Sequence, residues 1–178
     1  MQKNITIAVF GSSSVLQDSE HALVAYRVGK LLAEAGFVVC NGGYKGTMEA
    51  CSRGVKEAGG HVVGVTCKSF TNRTPNMYLT EEVCTEDLPE RISTLMRIAD
   101  AYIVLDGNIG TLAELFLAWN VIFMGKPKPL LIVGENMRRG LSALAEHTEI
   151  GERHLQLLEF VPTVESAVDY LKSTFQTA

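Results

Sequence analysis

Apolar residues in this chain come in short runs separated by longer stretches with helical spacing. The first run, Ile5 to Phe10, ends in Gly11-Ser12-Ser13-Ser14. A helical pattern follows, with Asp18 or Ser19 as N-cap, apolar Ala22, Val24, Ala25, Val28, Leu31 and Leu32, and Gly36 as the terminating glycine. A second run, Phe37 to Cys40, leads into Asn41-Gly42-Gly43-Tyr44-Lys45-Gly46 and a helix from Thr47 to about Ala58; His61 to Thr66 reads as a third strand. Strand, glycine turn, helix and strand have then occurred twice. That alternation is the mark of right-handed crossovers and predicts an α/β fold, a Rossmann-like open parallel sheet with helices on both faces.

From Cys67 to Thr80 the chain turns polar and loses periodicity, which predicts a surface loop over a site. Val83 to Thr85 predicts a short strand. Asp87-Leu88-Pro89-Glu90 reads as a helix start with Asp87 as N-cap and Glu90 completing a capping box; Leu88, Ile92, Leu95, Met96 and Ala99 form its apolar face. Ala101 to Leu105 then predicts a buried strand, Gly107 to Gly110 a turn, and Thr111 the start of a helix carrying Glu114 in its first turn. Asp100 marks the start of that strand. Beyond lie a strand at Pro129 to Val133, a short helix around Leu141 to Ala145, a last strand at Leu155 to Val161 and a helix from Thr163. With no linker or low-complexity segment, one domain over residues 1–178 is expected.

A strand that runs through glycines into a helix N-terminus aims free backbone N–H groups, with the positive end of the helix dipole, at the space above the sheet. The Gly107 to Thr111 turn therefore offers an anion site. Gly43-Tyr44-Lys45-Gly46-Thr47 followed by Glu49 echoes Gly107-Asn108-Ile109-Gly110-Thr111 followed by Glu114. In both, glycine allows a sharp turn and the Thr hydroxyl either caps the helix or binds an anion. Two such turns at one edge of a parallel sheet line one crevice, where open α/β folds bind ligands. The helix after the second turn is apolar nearly all round: Leu112, Leu115, Phe116, Trp119, Ile122 and Phe123 on one face, Ala113, Leu117, Val121 and Met124 on another. A homodimer through the Thr111 to Met124 helix is the expectation.

Composition narrows the classes. The 178 residues are 47% hydrophobic, enough for one sizeable core, and the net charge of -4 excludes nucleic-acid binding by bulk electrostatics. Met1-Gln2-Lys3-Asn4 passes straight into an apolar run too short for a signal peptide, and no run approaches a membrane span. Cys40, Cys51, Cys67 and Cys84 have no metal-site spacing and read as reduced thiols of a cytoplasmic protein. No cofactor or metal is expected. The G-x-G-x-x-G and G-x-x-x-x-G-K-[ST] fingerprints are both missing, which argues against a dinucleotide dehydrogenase and a P-loop enzyme. Ser12, Ser13 and Gly11 read equally as caps of a plain connection or as phosphate and sugar contacts.

Arg91 lies early in its helix, where a cation opposes the dipole, and off the apolar face. It reads either as a solvated arginine or as a clamp on a phosphorylated sugar; Arg97 competes for that role. Glu114 reads either as a complement to its helix dipole or as a carboxylate acting at a ribose, helping a water or stabilising an oxocarbenium-like cation. His21, His61, His147 and His154 pair with no acid or thiol in a recognisable arrangement and read as structural.

Glu90-Arg91, then Ala99-Asp100-Ala101-Tyr102, then Gly107-x-x-Gly110-Thr111-x-x-Glu114 resembles the LOG (Lonely Guy) family over Ile5 to about Val133. Its members are cytokinin-activating nucleoside 5'-monophosphate phosphoribohydrolases, long mislabelled lysine decarboxylases. No His here is followed by Lys, which argues against a pyridoxal phosphate decarboxylase. The resemblance implies hydrolysis of the N-glycosidic bond of a nucleoside 5'-monophosphate to free base and ribose 5-phosphate. It puts the catalytic pair on Arg91 and Glu114 and the phosphate turn on Gly107, Asn108, Gly110 and Thr111. Gly42, Gly43 and Gly46 match the upstream turn, and Gly11, Ser12 and Ser13 the first loop. The alternative is a non-catalytic carrier of a nucleotide or a molybdenum-cofactor-like ligand. Where the family has Pro-Gly-Gly, this chain has Asp106-Gly107-Asn108. Asn108 suits a left-handed conformation, and a carboxylate at Asp106 near a phosphate costs on the order of 1 kcal/mol or more.

Overall fold

The computed structural model describes residues 4–176; the first three residues and the last two of the expected domain, including the Met1 to Lys3 start, lie outside the described residues. In chain order the elements are β1 (Thr6–Phe10), α1 (Glu20–Glu34), β2 (Val38–Asn41), α2 (Thr47–Glu57), β3 (Val62–Cys67), β4 (Glu81–Thr85), α3 (Leu88–Ile98), β5 (Ala101–Val104), α4 (Ile109–Phe123), β6 (Leu130–Val133), α5 (Glu135–Glu146), α6 (Glu152–Leu155), β7 (Glu159–Val161) and α7 (Val164–Phe175).

The seven strands form one sheet in the order β4-β3-β2-β1-β5-β6-β7, and every neighbouring pair is parallel. This is the expected Rossmann-like α/β fold. Strand residues alternate between two cores, as a pleated sheet buried on both faces requires. Ile7, Val9, Ala101, Ile103, Leu131 and Val133 pack with α1, α2 and α7. Ala8, Phe10, Tyr102, Val104, Leu130 and Ile132 pack with α3, α4 and α5. The chain builds outward from β1 to β4, then returns to the other side of β1 with β5. The crevice at that reversal, above the carboxyl ends of β1 and β5, is where this fold class binds ligands.

Several helix starts fall as expected from their caps. Ser19 Oγ accepts from Ala22 N at 3.3 Å, Asp87 Oδ1 from Glu90 N at 2.9 Å and Thr163 Oγ1 from Ser166 N at 3.2 Å. Glu90 reaches one residue further back than a capping box does, accepting from Glu86 N at 2.8 Å. Asp100 ties β5 to β1 by accepting from Thr6 N at 3.0 Å.

Other expectations are corrected. The helix expected from Thr111 begins at Ile109, because Asn108 is its N-cap and accepts from Gly110 N at 3.2 Å. Asn108 is accordingly extended, with φ -105, not left-handed. Glu114 therefore stands in the second turn of α4, not the first. Of the strand expected over Leu155 to Val161, Glu159–Val161 is strand β7, while Leu155 ends the short helix α6, whose His154 carbonyl accepts from Trp119 Nε1 at 2.9 Å. The helix expected around Leu141 to Ala145 starts six residues earlier, at Glu135. Along α3 the buried residues include Arg91 and Thr94, while Leu88 is 42% exposed.

Candidate active site

Arg91 does not reach solvent. Its Nε donates to Val65 O at 2.7 Å and its Nη2 to Gly42 O at 3.0 Å, so the carboxyl ends of β2 and β3 hold the guanidinium across the crevice. Only 6% of the residue is exposed. Gly42 is required there by close approach, since a β-carbon at that position would overlap Arg91 Nη2. The remaining Nη1 faces Glu114, 3.7 Å from Oε1. Arg97, the competing candidate, is exposed and donates to Thr94 Oγ1 at 3.2 Å.

Glu114 lines a cavity with its side chain only 12% exposed, and its carboxyl has a pKa raised to about 7 because desolvation outweighs the pull of Arg91. Such a carboxylate titrates near neutrality, the range useful for proton transfer. One turn before it, Thr111 is 1% exposed, yet its Oγ1 has no hydrogen-bond partner among the described residues. A buried hydroxyl in that condition is costly unless an acceptor meets it. Gly107 packs against this hydroxyl so closely that a β-carbon would overlap it.

Arg91, Glu114, Thr111, Gly110, Asn108, Gly42, Gly11 and Ser13 all line one narrow cavity of about 60 Å³. Eight of the twelve residues singled out from the sequence thus meet at the sheet reversal. Ser12 and Gly107 line an adjoining cleft of about 800 Å³ whose floor is Leu112, Phe116, Met137, Leu141 and Leu144. Asn108 bridges the two loops, donating through Nδ2 to Ser12 Oγ at 3.4 Å and Ser14 Oγ at 3.3 Å. Gly43 and Gly46 instead shape the upstream turn, with φ +76 and +72. The echo between the two turns is therefore partial. Thr47 Oγ1 donates to Ser12 O at 3.0 Å and pins the first loop, whereas Thr111 keeps its hydroxyl for the cavity.

Asp106 is held away from the phosphate turn. Its Oδ1 accepts from Met137 N at 3.2 Å and its Oδ2 from Asn136 Nδ2 at 2.9 Å, so the carboxylate caps the start of α5. Its charge is met by that helix N-terminus, and His21 Nε2 lies 3.7 Å away. His21, and His61 beside Glu81 at 3.1 Å, are corrections to the reading of all four histidines as lacking acidic neighbours.

The model of the SLOG cluster4 family matches residues 4–152. The chain belongs to that family. The cytokinin riboside 5'-monophosphate phosphoribohydrolase of Mycobacterium tuberculosis is 30% identical over 171 residues, covering 92% of this chain and 91% of that one. The X-ray structure of TM1055 superposes with a TM-score of 0.77 at 30% identity, over 95% of this chain and 99% of the other. The molybdenum cofactor binding protein of Rippkaea orientalis has a TM-score of 0.81 at 22% identity, over 98% and 99% of the two chains, a likeness of fold. Membership in this LOG-like family agrees with the resemblance drawn from the motifs around Arg91 and Glu114.

Within this SLOG cluster4 chain, three residues of the narrow cavity went unread in the sequence: Val9, Met48 and Arg73. Arg73 had one available signal, its place as a cation in the polar, aperiodic stretch between Cys67 and Thr80. Its guanidinium lies 4.9 Å from the Phe70 ring centroid and 5.7 Å from that of Tyr44. Arg91 lies 5.5 Å from Tyr44 and 5.8 Å from Phe70, so two guanidinium groups share one pair of rings. Among the described residues, no helix is long and apolar enough to cross a membrane.

Proposed function

We propose that this chain hydrolyses the N-glycosidic bond of a nucleoside 5'-monophosphate, with water as co-substrate and free base and ribose 5-phosphate as products. The observation that carries this reading is the buried Arg91 and Glu114 pair sharing one cavity with the unpartnered Thr111 hydroxyl. In it the phosphate sits at the N-terminus of α4, accepting from Thr111 Oγ1 and from backbone N–H groups of the Asn108 to Thr111 turn. Arg91 Nη1 orients the sugar-phosphate, the other donors of that guanidinium being engaged with Val65 and Gly42. Glu114, ionised, stabilises the positive charge that develops on the ribose as the bond to the base breaks, and accepts the proton of the attacking water. The base takes the adjoining apolar cleft over Leu112, Phe116 and Met137. The relatives named as cytokinin riboside 5'-monophosphate phosphoribohydrolases support the same chemistry.

The alternative is a carrier for a nucleotide-like or molybdenum-cofactor-like ligand in the same crevice. The Asp106 carboxylate near the phosphate turn does not favour it, since that carboxylate is engaged by Asn136 and Met137 at the start of α5. A buried carboxylate beside the anion site weakens binding and has a use only if chemistry follows, which favours the hydrolase.

The homodimer belongs to this proposal. On α4, Phe116 is 37% exposed, Leu117 38%, Phe123 42% and Met124 74%, a stripe of large apolar side chains on the helix that carries Glu114. A second copy of the chain is its proposed cover. One nucleotide-binding domain in the cytoplasm completes the reading, and the four free cysteines suit a reducing compartment. Incubation with AMP and chromatographic detection of adenine together with an equal amount of ribose 5-phosphate tests the function; AMP bound and recovered intact contradicts it.

A further inference from the structure

Beside the narrow cavity, and sharing Ser13 and Arg73 with it as walls, lies a second cavity of about 350 Å³. Lys45 also lines it, and Ser14 and Asn72 add polar groups. Neither Lys45 nor Arg73 has a carboxylate within ion-pair distance among the described residues, where the other ion pairs engage different cations. Glu114, the acid that lines the narrow cavity, is engaged with Arg91. Arg73, though exposed, lies over the rings of Phe70 and Tyr44, and Tyr44 is anchored in turn by accepting from Cys67 N at 2.8 Å.

Two exposed cations without an ion-pair partner line this polar cavity, one of them beside a third cation, and make a local positive potential in a chain whose net charge is -4. The charge of Arg73 disfavours the Arg91 cation on the same ring pair, a repulsion that an anion meeting both would relieve. The hydroxyl of Thr111 and the start of α4 already serve one phosphoryl group. We infer that Lys45 and Arg73 form a second anion subsite, continuous with the first, which receives a further phosphoryl group, so that the ligands held best carry two phosphoryl groups joined through an anhydride oxygen. This rests on the reading of the α4 turn as a phosphate site. Arg73, the wall common to both cavities, contacts both groups, and Lys45 contacts the outer one as a point charge.

Calorimetric titration of the whole protein with inorganic phosphate and with pyrophosphate, at physiological ionic strength, tests the inference. Pyrophosphate is expected to bind at least about tenfold more tightly than phosphate. Because the more highly charged anion gains from any cation, the variants decide. The pyrophosphate advantage falls toward unity in Lys45→Ala and Arg73→Gln and is retained in Lys172→Ala, a surface cation on α7. Equal affinities in the wild type, or an advantage that Lys45→Ala leaves intact, overturn the inference. Adenine release from AMP on the same preparation separates the two proposals. Release without a Lys45-dependent advantage removes only the second subsite. A Lys45-dependent advantage without release removes only the hydrolase. Failure of both anions to bind removes the subsite together with the phosphate site on which it rests.

Discussion

Asp106 Oδ1 accepts a hydrogen bond from the backbone N–H of Met137 at 3.2 Å, joining the end of the central strand to the start of α5. A carboxylate that looks, in sequence, like an intruder beside a phosphate turn is the cap of a neighbouring helix. Replacing it with alanine removes that cap and is expected to cost about 1 kcal/mol, a fall in Tm of a few degrees for a chain of this size. AMP affinity in Asp106→Ala is expected to stay within about twofold of wild type. Tightening by more than tenfold would mean that the carboxylate repels the phosphate after all.

Glu114 sets the pH behaviour. Its carboxyl has an ordinary value of 4.5, raised on folding to about 7. Between those values the folded chain holds a proton that the unfolded chain has released, so the group's contribution to stability is full below about 4.5 and is lost as pH rises through about 7. Relative to Glu114→Gln, the wild type is expected to lose on the order of 3 kcal/mol of stability across that window. Because the ionised form is the working one, kcat/KM is expected to rise with pH and level off above about 7. A Tm difference independent of pH, or activity that falls across the same range, contradicts this assignment.

At Gly42 the argument is steric. A β-carbon there meets the guanidinium of Arg91, whereas one at Gly151 meets nothing within 4 Å. Gly42→Ala is expected to lower kcat/KM by tenfold or more, about 1.4 kcal/mol of transition-state stabilisation. Gly151→Ala serves as the matched control and is expected to leave it unchanged. Equal kinetics for the two variants would mean that Arg91 need not be held where it is.

The apolar stripe on α4 predicts a particle of twice the 19.4 kDa chain mass by light scattering at micromolar concentration. Leu117→Asp, on the exposed face, is expected to return it to the chain mass. A wild-type chain that scatters as a monomer removes the dimer.

How much was legible in the sequence follows from how local each signal is. The strands β1, β5 and β6 are short apolar runs between glycines and polar caps, and Ser19, Asp87 and Thr163 are caps that act within three residues, so the sheet and most helix starts could be read directly. Glu114 and Arg91 could be paired through motif spacing. Their depth could not, because Arg91 is buried by acceptors on β2 and β3, 49 and 26 residues away in sequence. Asp106 was misread for the same reason, its partners lying on α5. Asn108 was assigned a glycine's role when its side chain suits an N-cap better. At the end of the chain, Leu155 to Val161 is apolar enough for a strand of that length, but Leu155 belongs to a helix turn that packs beneath Trp119. Arg73 went unread because a cation in an aperiodic loop is a weak signal until the fold brings it over the rings of Phe70 and Tyr44.

The most direct test of the account separates holding a nucleotide from cleaving it. Wild type and Glu114→Gln are each given AMP, with binding followed by calorimetry and adenine by chromatography. The account predicts that both bind AMP, that the wild type releases adenine, and that the variant releases it at least about a hundredfold more slowly. A wild type that binds AMP and releases no adenine, or a variant that releases it at the wild-type rate, contradicts it.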